Sequence, residues 1–214
     1  RCLKARGHRE ITVAEGWGTT HADWERLVRV SGYAAMTKEE HVALVAMDDD
    51  GVFDVQGTRP GQALPIRGME HTSVPTLLMP AILAEHLRDG LFISVPKIKA
   101  HRFGVFSAGI KGAQGTVMLS DARPAFRQKW RMHRELGAWL ARQPKERADD
   151  RRGYVEALER FAERIADVLE VEMPDAVLAE GFPAMGGDGF RVLEPVEFGG
   201  GRGIAVGGTQ LARV

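Results

Sequence analysis

A chain of 214 residues can bury one sizeable core, and two separate small domains are the less economical reading. Its 29 basic and 29 acidic side chains cancel, which excludes a global field drawing the protein to nucleic acid or to an anionic membrane, so any anion site must be local. The single cysteine, Cys2, excludes a disulfide framework and a thiolate metal site built by this chain alone, and it fits a reducing, cytoplasmic setting.

The opening RCLKARG reads as the last turns of a helix closed by Gly7, and EITVAEG as a strand ending near Glu15. A glycine turn follows, and Thr20 with Asp23 is expected to form a capping box for a helix over His21 to Val30. HVALVAM, residues 41–47, is a second strand; residues 51–73, polar and rich in glycine and proline, are expected to be a loop or a small excursion. The apolar stretch from Val74 to Leu83 is too short to cross a bilayer and is broken by Pro75 and Pro80. Pro80 suits the first turn of a helix ending near Gly90, after which Leu91 to Val95 reads as a third, mostly apolar strand.

From Asp121 to Glu170 the sequence is helical and highly charged, with Tyr154, Leu158, Phe161, Ile165 and Val168 forming one apolar stripe. AVLAE, residues 176–180, and GIAVG, residues 203–207, supply two more strands. Alternation of strands and helices predicts an α/β fold with a mostly parallel sheet and helices on both faces. A single domain over residues 1–214 is expected, and the interrupted helix and strand at its ends suggest a fragment of a longer chain.

Directly after the third strand comes PKIKAHR, residues 96–102. If the backbone stays extended there, Lys97, Lys99 and His101 project to one side and Ile98 and Ala100 to the other. Converging cations repel one another unless an anion, a carboxylate or a depressed pKa relieves them. The alternative is a solvated basic turn paired with surface acids. Gly104, Gly109, Gly112 and Gly115 then punctuate a small-residue loop around Lys111, where the backbone can approach a ligand and a lysine can hold a phosphate or carboxylate or carry a covalent adduct. Tight turns and close packing would use the same glycines. The loop is neither a Walker A sequence nor a dinucleotide fingerprint.

Glu15 and Glu180 each end a predicted strand directly before a glycine, so either can face the cations, as proton acceptors or as plain ion-pair partners. Asp188, in a glycine-rich turn, suits a divalent ion or a hydroxyl, although such turns also favour Asp conformationally. Glu70 and His71 are adjacent without further metal-site spacing, no HExxH occurs, and Ser107 lacks a nucleophile elbow. The basic run Arg123, Arg127, Lys129, Arg131 and Arg134 is followed by acids and has no interleaved aromatics, so it reads as a solvated helix or a domain contact rather than a nucleic-acid platform.

VPKIKAH, followed by Lys111 in GIKGAQG, resembles the signature of the family known as domain of unknown function 362 (DUF362), where the pattern is roughly PKLKTH and then a lysine, an asparagine and a glycine. ITVAEG, LAEGFPAMGGDG and GIAVGGTQLARV stand where that family has its first strand, an acidic glycine turn and a late strand; Gly112 replaces the asparagine. Many members carry ferredoxin-like iron–sulfur modules, so the resemblance implies an iron–sulfur partner or domain, while one cysteine holds no cluster here. A second similarity is to nickel-pincer lactate racemases, whose catalytic histidine precedes a lysine in a GFSGGRK loop; compare His101, GVFSAGI and Lys111. It implies that Lys111 anchors a pincer-like cofactor and that His101 moves a proton, and it offers His133 as a metal ligand, where a lone histidine among Arg131, Arg134 and Glu135 on a helix is otherwise simply solvated. The expectation is an anionic cofactor or substrate, pincer-like or phosphate-bearing, at Lys97, Lys99, Gly109, Lys111, Gly112 and Gly115, with His101 and Lys111 catalytic in redox or proton-transfer chemistry. The competing expectation is a non-catalytic module docking to an iron–sulfur electron-transfer partner through the same patch.

Overall fold

The computed structural model describes residues 1–15, 21–47, 52–54, 78–80, 82–83, 86–87, 90–101, 105–116, 132–185, 195–196 and 205–208. After the short helix α1 (Cys2–Ala5), the chain turns at Gly7, whose φ of 93° is open to glycine at little cost, and enters β1 (Thr12–Glu15). Helices α2 (His21–Val30) and α3 (Tyr33–Glu40) carry it back to β2 (Ala43–Ala46), which lies parallel to β1 with Thr12 opposite Ala43 and Glu15 opposite Ala46. Parallel neighbours need a long crossover, and the two helices are that crossover. The expected capping pair Thr20 and Asp23 lies outside the residues and side chains described. The sequence reading missed α3, which starts after Gly32 in the left-handed region and so is separated from α2 by a real break.

Two local expectations are corrected. Residues 51–73 are not wholly loop, because β3 (Val52–Asp54) pairs antiparallel with β4 (Leu78–Pro80). Pro80 ends that strand instead of opening a helix, with helical residues following at 82–83 and 86–87. A proline at a strand's last position sits where a missing N–H costs the ladder little.

Among the described residues the larger sheet has six strands. Its spine is β8 (Ala176–Met185), and β10 (Ala205–Gly208), β8, β6 (Lys97–His101) and β7 (Val105–Ser107) lie in that order, with β5 (Ile93–Ser94) and β9 (Pro195–Val196) also paired to β8. β5 and β6 run parallel to β8, whereas β7, β9 and β10 enter antiparallel. The fold is α/β, but its larger sheet is mixed rather than mostly parallel. The reason is connection length: three residues separate His101 from Val105, which permits a hairpin and no crossover. Along β8, Val177 and Ala179 are buried while Leu178 between them is exposed, the period of two that gives a sheet one covered side.

The core that steadies this sheet is built on one helix. Past α4 (Gly109–Gly112) and a 3-10 turn (Ala113–Thr116) come α5 (Arg134–Leu140), α6 (Pro144–Asp149) and the 22-residue α7 (Arg151–Glu172). Gln143 N–H donates to Glu146 at 3.1 Å ahead of α6, and Asp150 accepts from Gly153 N–H at 2.9 Å to cap α7. The predicted stripe on α7 is the core seam: Phe161, Ile165 and Val168 are buried with Ala157, Leu83, Ala113, Met132 and Leu136, and Tyr154 and Leu158 pack against them. Ala113 belongs to that cluster, so the loop carrying Lys111 is anchored in the core rather than laid over it. At its far end α7 is tied to β5, where Phe92 N–H donates to Asp175 Oδ2 at 2.7 Å and Asp175 N–H donates to the Phe92 carbonyl at 2.9 Å.

One charged pair lies within this core. Arg164, 3% exposed, donates to both carboxylate oxygens of Glu135, one of them at 2.7 Å, and to the Met132 carbonyl at 3.1 Å. The Arg164 hydrogen bonds hold the Glu135 carboxyl at about 2, down from 4.5. A carboxyl lowered on folding stabilises the protein above its unfolded-state value and loses that contribution as pH falls through the folded one. Wild-type thermal stability is therefore expected to decline between pH 4.5 and about 2, and Glu135→Gln to be less stable at neutral pH with a flatter acid limb; an unaltered limb in the variant would refute the assignment.

Candidate functional site

Lys97–His101 proves to be a strand in its own right, gripped between β7 and β8, and not a turn beyond a strand end. Pairing is irregular: Lys97 lies opposite Glu180 but Lys99 opposite Met185, so two residues of β6 span five of β8. That irregularity divides the predicted cation cluster. Lys97 Nζ donates to Glu180 Oε2 at 2.6 Å, and both side chains are about a third exposed. Glu180 is thus the partner the sequence offered for the lysines, in an exposed pair contributing at most about 1 kcal/mol. Glu15 lies in the separate β1–β2 sheet, where it accepts from the Tyr33 hydroxyl at 3.3 Å.

Beyond the irregularity, Lys99 and His101 share a face of β6. Lys99 is half-buried, with Ser107 opposite it on β7, and His101 is 7% exposed. His101 stacks on His133, with ring centroids 5.7 Å apart and planes within 14°. His133, 8% exposed and immediately before α5, also stacks on Phe161 of α7 at 4.9 Å. Phe161 carries Lys111 over its ring as well, with Nζ 5.4 Å from the centroid. Phe161 in the middle of α7 therefore meets the loop of the second motif and the head of α5, and the strand of the first motif is joined to it through His133.

Gln114 completes the arrangement. Its Oε1 accepts from Lys111 Nζ, and its Nε2 lies 3.0 Å from both ring nitrogens of His133. An ammonium only donates, so Lys111 fixes the amide with its oxygen towards the lysine and its N–H towards the imidazole. His133 must then accept, and the accepting nitrogen carries a lone pair, the state required of a proton acceptor. Nothing in the sequence singled out Gln114. It is 4% exposed, and its position three residues after Lys111 on a tight helical turn is the only signal that would have found it.

The glycines divide similarly. A Cβ on Gly112 would lie 3.2 Å from Pro96 Cβ, so this glycine lets the loop pack against the entry to β6, the close-packing role. Gly109 is half-buried at the start of α4, and Gly115 is exposed with open space where a Cβ would go. His133, put forward from the pincer comparison as a metal ligand, is beside His101, yet among the described residues no three His, Cys, Asp or Glu side chains are grouped to hold a metal ion. Asp188 lies outside the described residues, as do the expected glycine turn at Gly16 to Thr19 and, beyond Met185, the expected turn that carries Asp188.

A family model described as Domain of unknown function (DUF362) matches residues 1–207. The chain belongs to this DUF362 family. No curated protein and no solved structure matches it. Of the two DUF362-like motifs recognised in the sequence, the Lys111 loop lies over Phe161 of α7, and His101 of PKIKAH is joined to the same ring through His133. None of the described helices of this DUF362 member is long and apolar enough to cross a membrane.

Proposed function

We propose that this DUF362 domain binds a small anionic cofactor or substrate at the Lys111 loop and uses the His101–His133 pair for proton transfer. The observation carrying this reading is the Gln114 bridge, which links a lysine ammonium to an imidazole held as acceptor. Lys111 supplies positive charge for a carboxylate or phosphate, and Lys99, on the His101 face of β6, is the second cation of the set. His133 is the group that takes a proton from the ligand, and His101, stacked face to face on it, adjusts that step through charge: two stacked imidazoles disfavour being cationic together, so a proton on one lowers the proton affinity of the other. Lys97 is left out, because Glu180 already offsets it.

Inorganic phosphate is expected to raise the unfolding temperature of the wild-type chain. Lys111→Ala is expected to weaken its binding about ten- to hundredfold, the worth of one charge-assisted contact, while Lys97→Ala changes it little. Equal titrations for wild type and Lys111→Ala would reject the site. A covalent adduct on Lys111, as the pincer comparison implies, is tested separately by intact mass of the natively expressed protein.

A second reading, docking onto an iron–sulfur electron-transfer partner, is favoured by three exposed apolar residues near the same loop and strands: Val95 at 63%, Phe106 at 62% and Ile110 at 49%. On that reading a ferredoxin-type partner binds with affinity falling steeply as salt rises, and phosphate gives no protection.

A further inference from the structure

Glu172, the last residue of α7, is wholly buried, and its Oε2 has no hydrogen-bond partner among the described residues. Its Oε1 is hydrogen-bonded to the Thr116 hydroxyl, and that hydroxyl lies 2.5 Å from the Ala113 carbonyl oxygen. A hydroxyl carries one proton, and a carbonyl brings none. Thr116 can satisfy both neighbours only if Glu172 contributes a proton, giving a chain from the carboxyl O–H to Thr116 Oγ and from Thr116 O–H to the Ala113 carbonyl. A carboxylate would leave two acceptors competing for one hydrogen in a fully buried place, which is costly.

Ala113 and Thr116 bracket Gln114, the residue that joins Lys111 to His133. We propose that Glu172, as the un-ionised acid, is a positioning residue that latches the Lys111–Gln114 loop onto α7 and holds the candidate site in register. The proposal rests on the reading of that loop as functional, but its own evidence is the Thr116 contact. Burial is the largest influence on the Glu172 carboxyl and pushes it well above 4.5, with the Thr116 hydrogen bond acting in the opposite direction. The titratable groups on the elements packed around α7 are Lys111 on α4 and His133 with Arg134 and Glu135 at the head of α5; on α7 itself, besides Glu172, Arg164 and Asp167 are buried, and Glu170, two residues away, is exposed. The 3-10 turn carries none, and the charges of α6 lie at the opposite end of α7, about 30 Å away along a helix of this length.

The sign follows from linkage. The closed loop keeps its proton to higher pH than the opened one, so each opening releases a proton in the interval above 4.5, and opening increases about tenfold per pH unit there. Stability conferred by the latch is full at low pH and is lost as pH rises.

Amide hydrogen exchange over residues 109–116 of the full chain tests this. Above about pH 5, hydroxide catalysis alone quickens exchange about tenfold per unit; with the latch, wild type is expected to quicken about a hundredfold per unit until the carboxyl of the closed loop itself ionises. Glu172→Gln places a permanent N–H at the same position and is expected to return the dependence to about tenfold per unit. Identical slopes in the two proteins would overturn the proposal. Thr116→Val provides a second route: faster loop exchange throughout, with the shallow slope, supports the latch, and a steep slope in this variant refutes it. Phosphate titration of the same samples keeps the two readings apart, since a slope difference without phosphate protection upholds the latch and rejects the anion site.

Discussion

Phe161→Ala is expected to destabilise the protein by about 3–5 kcal/mol, the usual effect of truncating a buried aromatic, and to impair phosphate binding at the same time. Phe161 is 5% exposed in the centre of the core cluster, so its removal leaves a cavity between α7, α5 and the Lys111 loop. It also provides the ring beneath Lys111 and the face on which His133 stacks. Phe161→Leu separates the two roles. Leucine restores most of the volume, limiting the loss to about 1–2 kcal/mol, but has no ring face for either partner. Chemical denaturation should therefore show a mild variant, while phosphate affinity falls about three- to tenfold through loss of the cation–π contact. A Phe161→Leu protein that binds as wild type would show that the ring serves packing alone.

Arg164→Ala is expected to cost about 3 kcal/mol, the lower end for breaking a buried charge pair because Glu135 remains partly solvated. The substitution removes three hydrogen bonds at once and strands the Met132 carbonyl next to His133. Arg164→Met fills the space without the charge and is expected to recover part of the loss. Thermal denaturation near neutral pH ranks the series as wild type, Arg164→Met, Arg164→Ala. If Arg164→Ala unfolds with the wild type, the pair contributes nothing and the packing of α5 against α7 stands on apolar contacts alone.

Much of the framework was legible from local pattern. The period-3.6 spacing of Phe161, Ile165 and Val168 identified the helix and its buried face, because burial of an apolar stripe needs no knowledge of what covers it. The first two strands, the helix over His21–Val30 and the strand at Ala176 were visible for the same reason. The family was also legible, carried by PKIKAH and the Lys111 loop.

Strand direction was not, because alternating elements suggest crossovers, while a three-residue link after His101 dictates a hairpin. Nor was the division of the cations: a uniform alternation puts Lys97, Lys99 and His101 together, and only the shifted pairing with β8 gives Lys97 to Glu180. Gln114, Arg164 and Glu172 carry no local signal and His133 only that of a candidate ligand, since their roles depend on partners 19 to 56 positions away, at His133, Glu135 and Thr116.

By itself, then, the sequence determined the periodic elements, the family and the two segments rich in chemistry, all of which depend on neighbours within a few residues. The tertiary structure decided which charge is offset, which imidazole accepts and which carboxyl keeps its proton, because hydrogen bonds and burial join groups far apart in the chain and their strength depends on the dry surroundings that only the packed core supplies.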